Sequence, residues 1–143
     1  MWLVVDSSTV VKWFFPEVLT GQALALRRAW ESSNVELIAP TLLLTEVGNV
    51  VWKKQRNALV TYEEGAQIVS HLLALELPLV KVQNLLPRAY QLAGIFQRTV
   101  YDALYLALAE QMEAEFVTAD LRLCNAVHPM LEFVRYLGNY SQQ

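Results

Sequence analysis

Short apolar runs alternate along the chain with longer stretches whose apolar positions recur at helical spacing. The runs are typical of buried strands and predict strands at residues 2–6, 36–39, 79–82 and 115–118, with an edge strand at 131–134. The stretches between them predict helices at residues 8–15, 21–31, 41–56, 61–75, 84–97 and 101–113, and a short one from residue 121. Strands that alternate with helices predict an α/β fold with a mainly parallel sheet.

Polar side chains at the starts of these helices match known capping signals. An oxygen just before the first turn accepts a hydrogen bond from a backbone N–H group that has no partner within the helix. The signals are Ser7 or Ser8 for the first helix, Thr41 and Asn84 for later ones, and the pair Thr61 and Glu64, which matches a capping box.

The helix predicted at 101–113 is apolar on nearly every face, so we expect it to be central and buried. We interpret residues 1–137 as one domain and residues 138–143 as a flexible tail. No apolar run reaches the ~18 residues that span a bilayer, which predicts no membrane segment. Cys124 is the only cysteine, so an internal disulfide is impossible and we expect a cytoplasmic protein.

Composition adds two expectations about partners. The chain has 143 residues, of which 55% are hydrophobic and 17% are charged, so we expect a partner to cover apolar surface. The formal net charge is −3, whereas a protein that binds nucleic acid by backbone electrostatics alone is basic. Binding to nucleic acid would therefore need bound cations or a local basic cluster.

The candidate chemistry lies in a few acidic residues with apolar surroundings. Asp6, Asp102 and Asp120 are the only aspartates, and each follows an apolar stretch or opens an apolar helix. Glu46 lies along an apolar stripe of its helix. Each has an ordinary explanation: Asp6 caps a helix, Asp102 interacts with a helix N-terminus, and Glu46 reaches water.

Asp6 and Asp120 follow strands that we expect to end at the same edge of a doubly wound sheet. If the four carboxylates meet there, they repel, at a cost on the order of 4 kcal/mol for two charges ~4 Å apart at an effective dielectric near 20. Bound cations would offset that cost. Oxygen ligands without histidine or cysteine favour Mg²⁺ or Mn²⁺ over Zn²⁺.

Covalent catalysis is the competing interpretation. A Ser–His–Asp triad would need His71 or His128, and neither follows a recognisable nucleophile motif. Cys124 has no neighbour that would activate its thiol and is interpreted as a core residue. An aspartyl-phosphate enzyme built on Asp6 is a further alternative, although no second aspartate follows closely.

Four segments of the chain resemble the signature segments of PIN domains, and most of all those of VapC-type toxins. They occur in the order of the family and extend from residue 4 to residue 120. The segments are Val4-Val5-Asp6-Ser7-Ser8-Thr9-Val10-Val11-Lys12-Trp13-Phe14, Thr45-Glu46-Val47-Gly48-Asn49-Val50-Val51-Trp52-Lys53, Tyr101-Asp102-Ala103-Leu104-Tyr105-Leu106-Ala107-Leu108-Ala109-Glu110 and Val117-Thr118-Ala119-Asp120.

The resemblance implies a three-layer α/β/α sandwich with metal-dependent ribonuclease activity. It also implies a homodimer and a small antitoxin that blocks the site. Gly48 departs from the alanine that is usual in the family. The residues that match the family's catalytic and metal-binding acids are Asp6, Glu46, Asp102 and Asp120, here called the acidic quartet, and those that match its supporting polar residues are Ser8, Thr118 and Asn49.

Lys12, Arg98 and Arg122 lie near the matching segments and are candidates for contact with RNA phosphates. The ordinary interpretation of each is a solvated surface charge. A PIN-like module that binds RNA or protein without catalysis is the alternative function. Such a module would bind RNA without metal, whereas the enzyme would need Mg²⁺ or Mn²⁺ to cleave it.

Overall fold

Five short strands form a single sheet in which every neighbouring pair is parallel. The computed structural model describes residues 1–141. The strand order is β3-β2-β1-β4-β5, and helices flank the sheet, which confirms the α/β fold with a parallel sheet that the sequence pattern predicts and the α/β/α sandwich that the resemblance implies. The strands are β1 (Trp2–Val5), β2 (Glu36–Pro40), β3 (Leu79–Val80), β4 (Glu115–Thr118) and β5 (Val134–Tyr136).

Seven α-helices occur in the described part of the chain, and the longer ones supply most of the apolar faces that cover the sheet. The chain turns through a short 3₁₀ helix, Val11–Trp13, directly after the first of them. The helices are α1 (Ser7–Val10), α2 (Thr20–Glu31), α3 (Leu42–Arg56), α4 (Tyr62–Ala74), α5 (Leu86–Phe96), α6 (Val100–Met112) and α7 (Leu121–Val127).

Strand β1 is the centre of the sheet, and its partners come from distant parts of the sequence. Val4 lies beside Ile38 of β2 on one side and beside Phe116 of β4 on the other. Leu3, Val4 and Val5 are buried, as expected of a strand covered on both faces. Because the three strands are parallel, the residues that follow β1, β2 and β4 emerge at one edge of the sheet.

Helix α6 is central, as its apolar sequence predicts. Every residue from Ala103 to Ala109 is buried. The helix packs against α5 and against β1, β2 and β4. Its first turn, which carries Asp102, is only partly buried, so this carboxylate lies where the most buried helix meets the surface.

Several predicted boundaries are wrong at the periphery of the sheet. Strand β3 ends at Val80 rather than 82, and the last strand is 134–136 rather than 131–134. The predicted cap Asn84 lies inside a 3₁₀ helix, so α5 begins two residues later without a side-chain cap. Edge elements have few apolar contacts to fix their limits, and their sequence pattern is correspondingly weak.

The capping box of α4 is confirmed: Thr61 and Glu64 exchange the two expected hydrogen bonds. Thr41 precedes α3 but makes no side-chain capping bond.

None of the helices in residues 1–141 is long and apolar enough to cross a membrane. At the C-terminus, Leu137–Asn139 forms a 3₁₀ helix and Tyr140 packs against the core. The flexibility of the tail, residues 138–143, stays a prediction. The last two residues of the tail, 142 and 143, lie outside the described part of the chain.

Candidate active site

Asp6 lies between β1 and α1, as the N-cap of α1, and it is buried, with 7% of its surface exposed. Its side chain caps α1 by accepting a hydrogen bond from the Thr9 backbone N–H at 3.3 Å. The expectation that Ser7 or Ser8 is the cap is therefore wrong, because the helix begins one residue earlier. Capping accounts for one of the hydrogen bonds that Asp6 accepts, and two hydroxyl groups supply the others.

The Asp6 carboxylate is held by two hydroxyl groups, that of Ser8 in α1 and that of Thr118 at the end of β4. The Ser8 hydroxyl donates to Oδ1 at 2.6 Å, and the Thr118 hydroxyl, at the end of β4, donates to Oδ2 at 2.5 Å. Ser8 Oγ also accepts from the Ala119 N–H, and Thr118 Oγ1 accepts from the Asp120 N–H, each at 3.1 Å. The two hydroxyls thus fix the carboxylate and join the chain after β1 to the chain after β4.

Glu46, on α3, is held by a buried tyrosine. The Tyr105 hydroxyl donates to Glu46 Oε1 at 2.5 Å, and Ser7 Oγ lies 3.5 Å from the same oxygen. The Tyr105 ring is stacked on Phe116 of β4 with its centroid 5.7 Å away, so the hydroxyl has a fixed position. The Glu46 carboxylate is therefore directed at Tyr105 of α6, in a partly buried position.

Asp102 and Asp120 are bridged by a single arginine. Arg98 Nη2 lies 3.2 Å from Asp102 Oδ2 and 3.9 Å from Asp120 Oδ2. Asp102 occupies the first turn of α6, where Thr99 caps the helix by accepting from its N–H at 3.0 Å. Asp120 caps α7 through a hydrogen bond from the Leu123 N–H at 3.1 Å. The two carboxylates are consequently held by helix starts as well as by Arg98.

Burial raises the pKa values of three quartet members, and neighbouring carboxylates add to the effect. Burial raises the pKa of Asp6 to about 6, against the lowering effect of the Ser8, Thr118 and Thr9 hydrogen bonds, and Glu46 raises it further. Burial also raises the pKa of Glu46, and Asp102 adds to that rise. The same cause raises the pKa of Asp102, opposed by Arg98 and reinforced by Asp120. The quartet is thus one electrostatically connected group in which desolvation outweighs repulsion.

The other predicted polar and basic residues have different surroundings. Asn49 is exposed on α3. Lys12 is largely buried and pairs with Glu17 at 3.0 Å. Arg122 is exposed at the start of α7, and Arg98 is the predicted phosphate contact that lies against quartet carboxylates. RNA contact by these three basic residues stays a prediction.

The histidines and the cysteine considered for covalent catalysis lack the surroundings of catalytic residues. His71 is exposed on α4, and His128 is exposed after α7. Cys124 is half-buried on α7, and burial, with Asp120 and Asp6, raises the pKa of its thiol to about 11. Its thiol is therefore protonated at neutral pH, whereas a cysteine nucleophile reacts as the thiolate.

Sequence reasoning missed Tyr105 and Ser7 as partners of Glu46. A usable signal was present for Tyr105, because a tyrosine in a helix that is otherwise apolar must place its hydroxyl on a hydrogen-bond acceptor. Glu46 in its apolar stripe needed a donor for the same reason. Predicting the contact between Tyr105 and Glu46 from the sequence would have required knowledge of how α3 and α6 are arranged, which no local sequence pattern provides.

The donor chemistry of the site fits a hard divalent cation. Carboxylate and hydroxyl oxygens are the groups gathered at this edge, and hard oxygen donors suit Mg²⁺ or Mn²⁺. Within residues 1–141, no three His, Cys, Asp or Glu side chains are placed to hold one ion together. Each quartet carboxylate instead faces a hydroxyl, a backbone N–H or Arg98, so binding an ion would require some of these contacts to change.

Two solved structures resemble the fold over most of its length. PAE2754 from Pyrobaculum aerophilum superimposes with a TM-score of 0.66 at 19% identity, over 96% of this chain and 85% of that one. The toxin VapC20 of Mycobacterium tuberculosis, described as cleaving the sarcin–ricin loop, gives a TM-score of 0.62 at 17% identity, over 87% of this chain and 94% of that one. At 19% and 17% sequence identity, the structural similarity establishes a shared fold and nothing further.

Sequence comparison extends the likeness to the family. Residues 3–128 match the PIN domain family. The chain is also 33% identical over 126 residues to Ribonuclease VapC3 of Pyrobaculum aerophilum, an alignment that covers 86% of this chain and 92% of the relative. The segments that carry the acidic quartet all lie within the matched range. The chain therefore belongs to the PIN domain family, as a homologue of the VapC-type ribonuclease toxins.

Proposed function

We propose that this protein is a divalent-metal-dependent endoribonuclease that hydrolyses RNA phosphodiester bonds as the toxin of a toxin–antitoxin pair. The observation that carries the proposal is the acidic quartet at the carboxyl edge of the sheet, where burial and mutual influence raise the pKa of three of its members. Membership of the PIN family and the similarity to Ribonuclease VapC3 support it.

The four quartet members are proposed to have different roles in holding Mg²⁺ or Mn²⁺. Asp6 and Asp120 are the proposed direct ligands, because each is anchored at a strand end and by a capping hydrogen bond. Glu46 and Asp102 are proposed to complete the ligand set or to accept a proton from water. Ser8 and Thr118 act through Asp6, whose oxygens they orient.

A bound divalent ion supplies an activated water and neutralises charge on the phosphate. The chain itself provides the rigid carboxylates and a partly buried setting in which Tyr105 keeps Glu46 directed at the site. Because the net charge is −3, attraction of an RNA backbone depends on the ion and on nearby basic groups. Arg98 is the best placed of these, and Lys12 and Arg122 are further candidates.

Exposed apolar side chains on four helices support the proposed protein partners. They are Trp52, Tyr62 and Leu73 on α3 and α4, and Tyr90, Ile95 and Tyr101 on α5 and at the start of α6. Aromatic side chains in particular are enriched at protein interfaces. We propose that a second copy of the chain and a cognate antitoxin cover them, in a protein that works in the cytoplasm.

The decisive experiment is RNA cleavage measured with chelator, Mg²⁺, Mn²⁺ or Ca²⁺. Cleavage should vanish in chelator, return with Mg²⁺ or Mn²⁺, and return poorly with Ca²⁺, whose looser coordination positions groups less well. Asp6→Asn should lose activity by several orders of magnitude while remaining folded. Glu63→Gln, an equal charge change at an exposed residue of α4, should keep it.

Cleavage that persists in chelator, or that survives Asp6→Asn, would contradict the metal-nuclease proposal. RNA binding without cleavage, independent of metal, would instead support the alternative of a silent binding module. The same samples test both functions, because binding is measured by filter retention and cleavage by the appearance of shorter RNA.

A further inference from the structure

Arg98 has an unusual position among the basic residues of this protein. It lies between α5 and α6, directly after Gln97, the left-handed C-cap residue of α5, and about three-quarters of its side chain is buried. In the described part of the chain, the ion pairs that involve a quartet carboxylate are both made by this one guanidinium, to Asp102 and to Asp120. Its charge therefore belongs to the candidate site.

The hydrogen bonding of Arg98 is poor for so buried a group. Only Nη2 reaches a carboxylate within hydrogen-bond distance, at 3.2 Å from Asp102, and Nε is buried without a partner among the described residues. Arg88 on the surface, by contrast, donates from Nε and Nη2 to both oxygens of Glu110. A buried N–H without an acceptor is destabilising, because its hydrogen bond to water has been lost and not replaced. The pose of Arg98 is thus held by charge rather than by a well-matched set of hydrogen bonds.

We infer that Arg98 is a displaceable counter-cation, which holds Asp102 and Asp120 together in the metal-free protein and competes with a divalent ion for them. The inference rests on the proposed metal-dependent function and concerns how the same site is regulated. A guanidinium and a divalent ion cannot both occupy the space beside Asp102 Oδ2 and Asp120 Oδ2. If these carboxylates held an ion, Arg98 would have to turn away from them, and its guanidinium would then be free to pair with an RNA phosphate.

This competition determines whether a substitution of Arg98 strengthens or weakens metal binding. Replacing Arg98 by glutamine removes a positive charge from beside the ion, and repulsion between single and double charges ~5 Å apart in a water-like dielectric corresponds to about a tenfold change in affinity. Metal should bind Arg98→Gln about tenfold more tightly than the wild type. Arg98→Lys keeps the charge, so its affinity should stay within about threefold of the wild type.

Stability in the absence of metal should respond in the opposite direction. Without Arg98, the charges of Asp102 and Asp120 face each other uncompensated, so Arg98→Gln should unfold at a lower temperature than wild type in chelator. Saturating Mg²⁺ replaces the missing charge and should abolish that deficit. An arginine with only a structural role would leave the same deficit in both conditions.

The test is calorimetric titration of the full-length protein with MgCl₂ and MnCl₂, together with thermal unfolding in chelator and in saturating Mg²⁺. The variants are Arg98→Gln and Arg98→Lys, with Arg88→Gln as the matched control. Arg88 makes a surface ion pair with Glu110, about two turns along α6 from Asp102. Arg88→Gln should leave metal affinity unchanged and lower the unfolding temperature equally with and without metal.

Three results are informative. Tighter binding by Arg98→Gln, near-native binding by Arg98→Lys and a deficit that disappears in Mg²⁺ support the inference. Unchanged or weaker metal binding by Arg98→Gln, while the wild type binds metal, overturns the inference and leaves the proposed function intact. A wild type that binds neither ion overturns both. If Arg98→Gln does not fold, Arg98→Lys decides, since affinity outside the threefold range contradicts competition by charge.

Discussion

The Asp6→Asn substitution tests the stability argument most directly, because Asp6 is a buried carboxylate whose pKa in the folded protein lies well above its ordinary value. Burial raises that pKa from 3.8 to about 6. The native state therefore holds the proton more tightly than the unfolded chain does. The stability of the metal-free protein is greatest below the ordinary pKa, falls as the pH rises from 3.8 to about 6, and then levels off for this group.

The size of the effect follows from the same pKa values. One pH unit corresponds to about 1.4 kcal/mol, so ionisation of Asp6 lowers the free energy of unfolding by about 3 kcal/mol between pH 3.8 and pH 7. Asparagine does not ionise, and its amide sacrifices about one hydrogen bond from Ser8 or Thr118, at about 1 kcal/mol. Metal-free Asp6→Asn should therefore exceed the wild type by about 2 kcal/mol at pH 7.

The assay is urea unfolding in chelator at fixed ionic strength, at intervals from pH 4 to pH 8. The advantage of Asp6→Asn should shrink towards pH 4 and change sign there, because the protonated wild type keeps its hydrogen bonds. Glu63→Gln, at an exposed residue of α4, is the control for the loss of one acidic side chain. The reasoning is refuted if Asp6→Asn is less stable at every pH with an unchanged pH dependence, since the carboxylate would then be a structural partner of the two hydroxyls.

Three other predictions concern Glu46, α3 and assembly. Tyr105→Phe should weaken Mg²⁺ binding and raise the pH midpoint of cleavage, because the hydrogen bond from the Tyr105 hydroxyl lowers the pKa of Glu46. An equal effect of Tyr101→Phe, at an exposed residue of the same helix, would contradict this prediction. Gly48→Ala should raise the free energy of unfolding by roughly 0.5–1 kcal/mol without changing cleavage, because a Cβ there meets nothing within 4 Å; chemical denaturation measures it. Sedimentation equilibrium at tens of micromolar should show a dimer, and a monomer would count against the proposed homodimer.

The sequence predicts the fold and the edge of the sheet at which Asp6 and Asp120 lie because both follow from local patterns. Apolar runs identify β1, β2 and β4, and parallel strands place their carboxyl ends together. The apolar sequence of α6 predicts its burial. The edge strands β3 and β5 are short, and their limits depend on contacts that the sequence pattern does not record.

The contacts within the site were less predictable because they join residues that are far apart in sequence. Tyr105 donates to Glu46 across 59 residues, and Thr118 donates to Asp6 across 112. These pairs depend on how α3, α6 and β4 pack around β1. Sequence alone also predicted repulsion as the electrostatic cost of bringing the quartet together, whereas burial is the larger cause of the raised pKa values of Asp6 and Glu46, and burial depends on the complete packing.

The central position of the first strand has a consequence for the timing of synthesis. Strand β1 leaves the ribosome before both of its neighbours in the sheet, which are residues 36–40 and 115–118. At roughly 5–20 residues per second, about 6 to 23 seconds pass between the translation of Asp6 and that of Asp120. During that interval β1 lacks a partner on one side, and Asp6 lacks the Thr118 hydroxyl. A nascent chain therefore cannot bring Asp6, Thr118 and Asp120 together until β4 and the two residues after it have been translated.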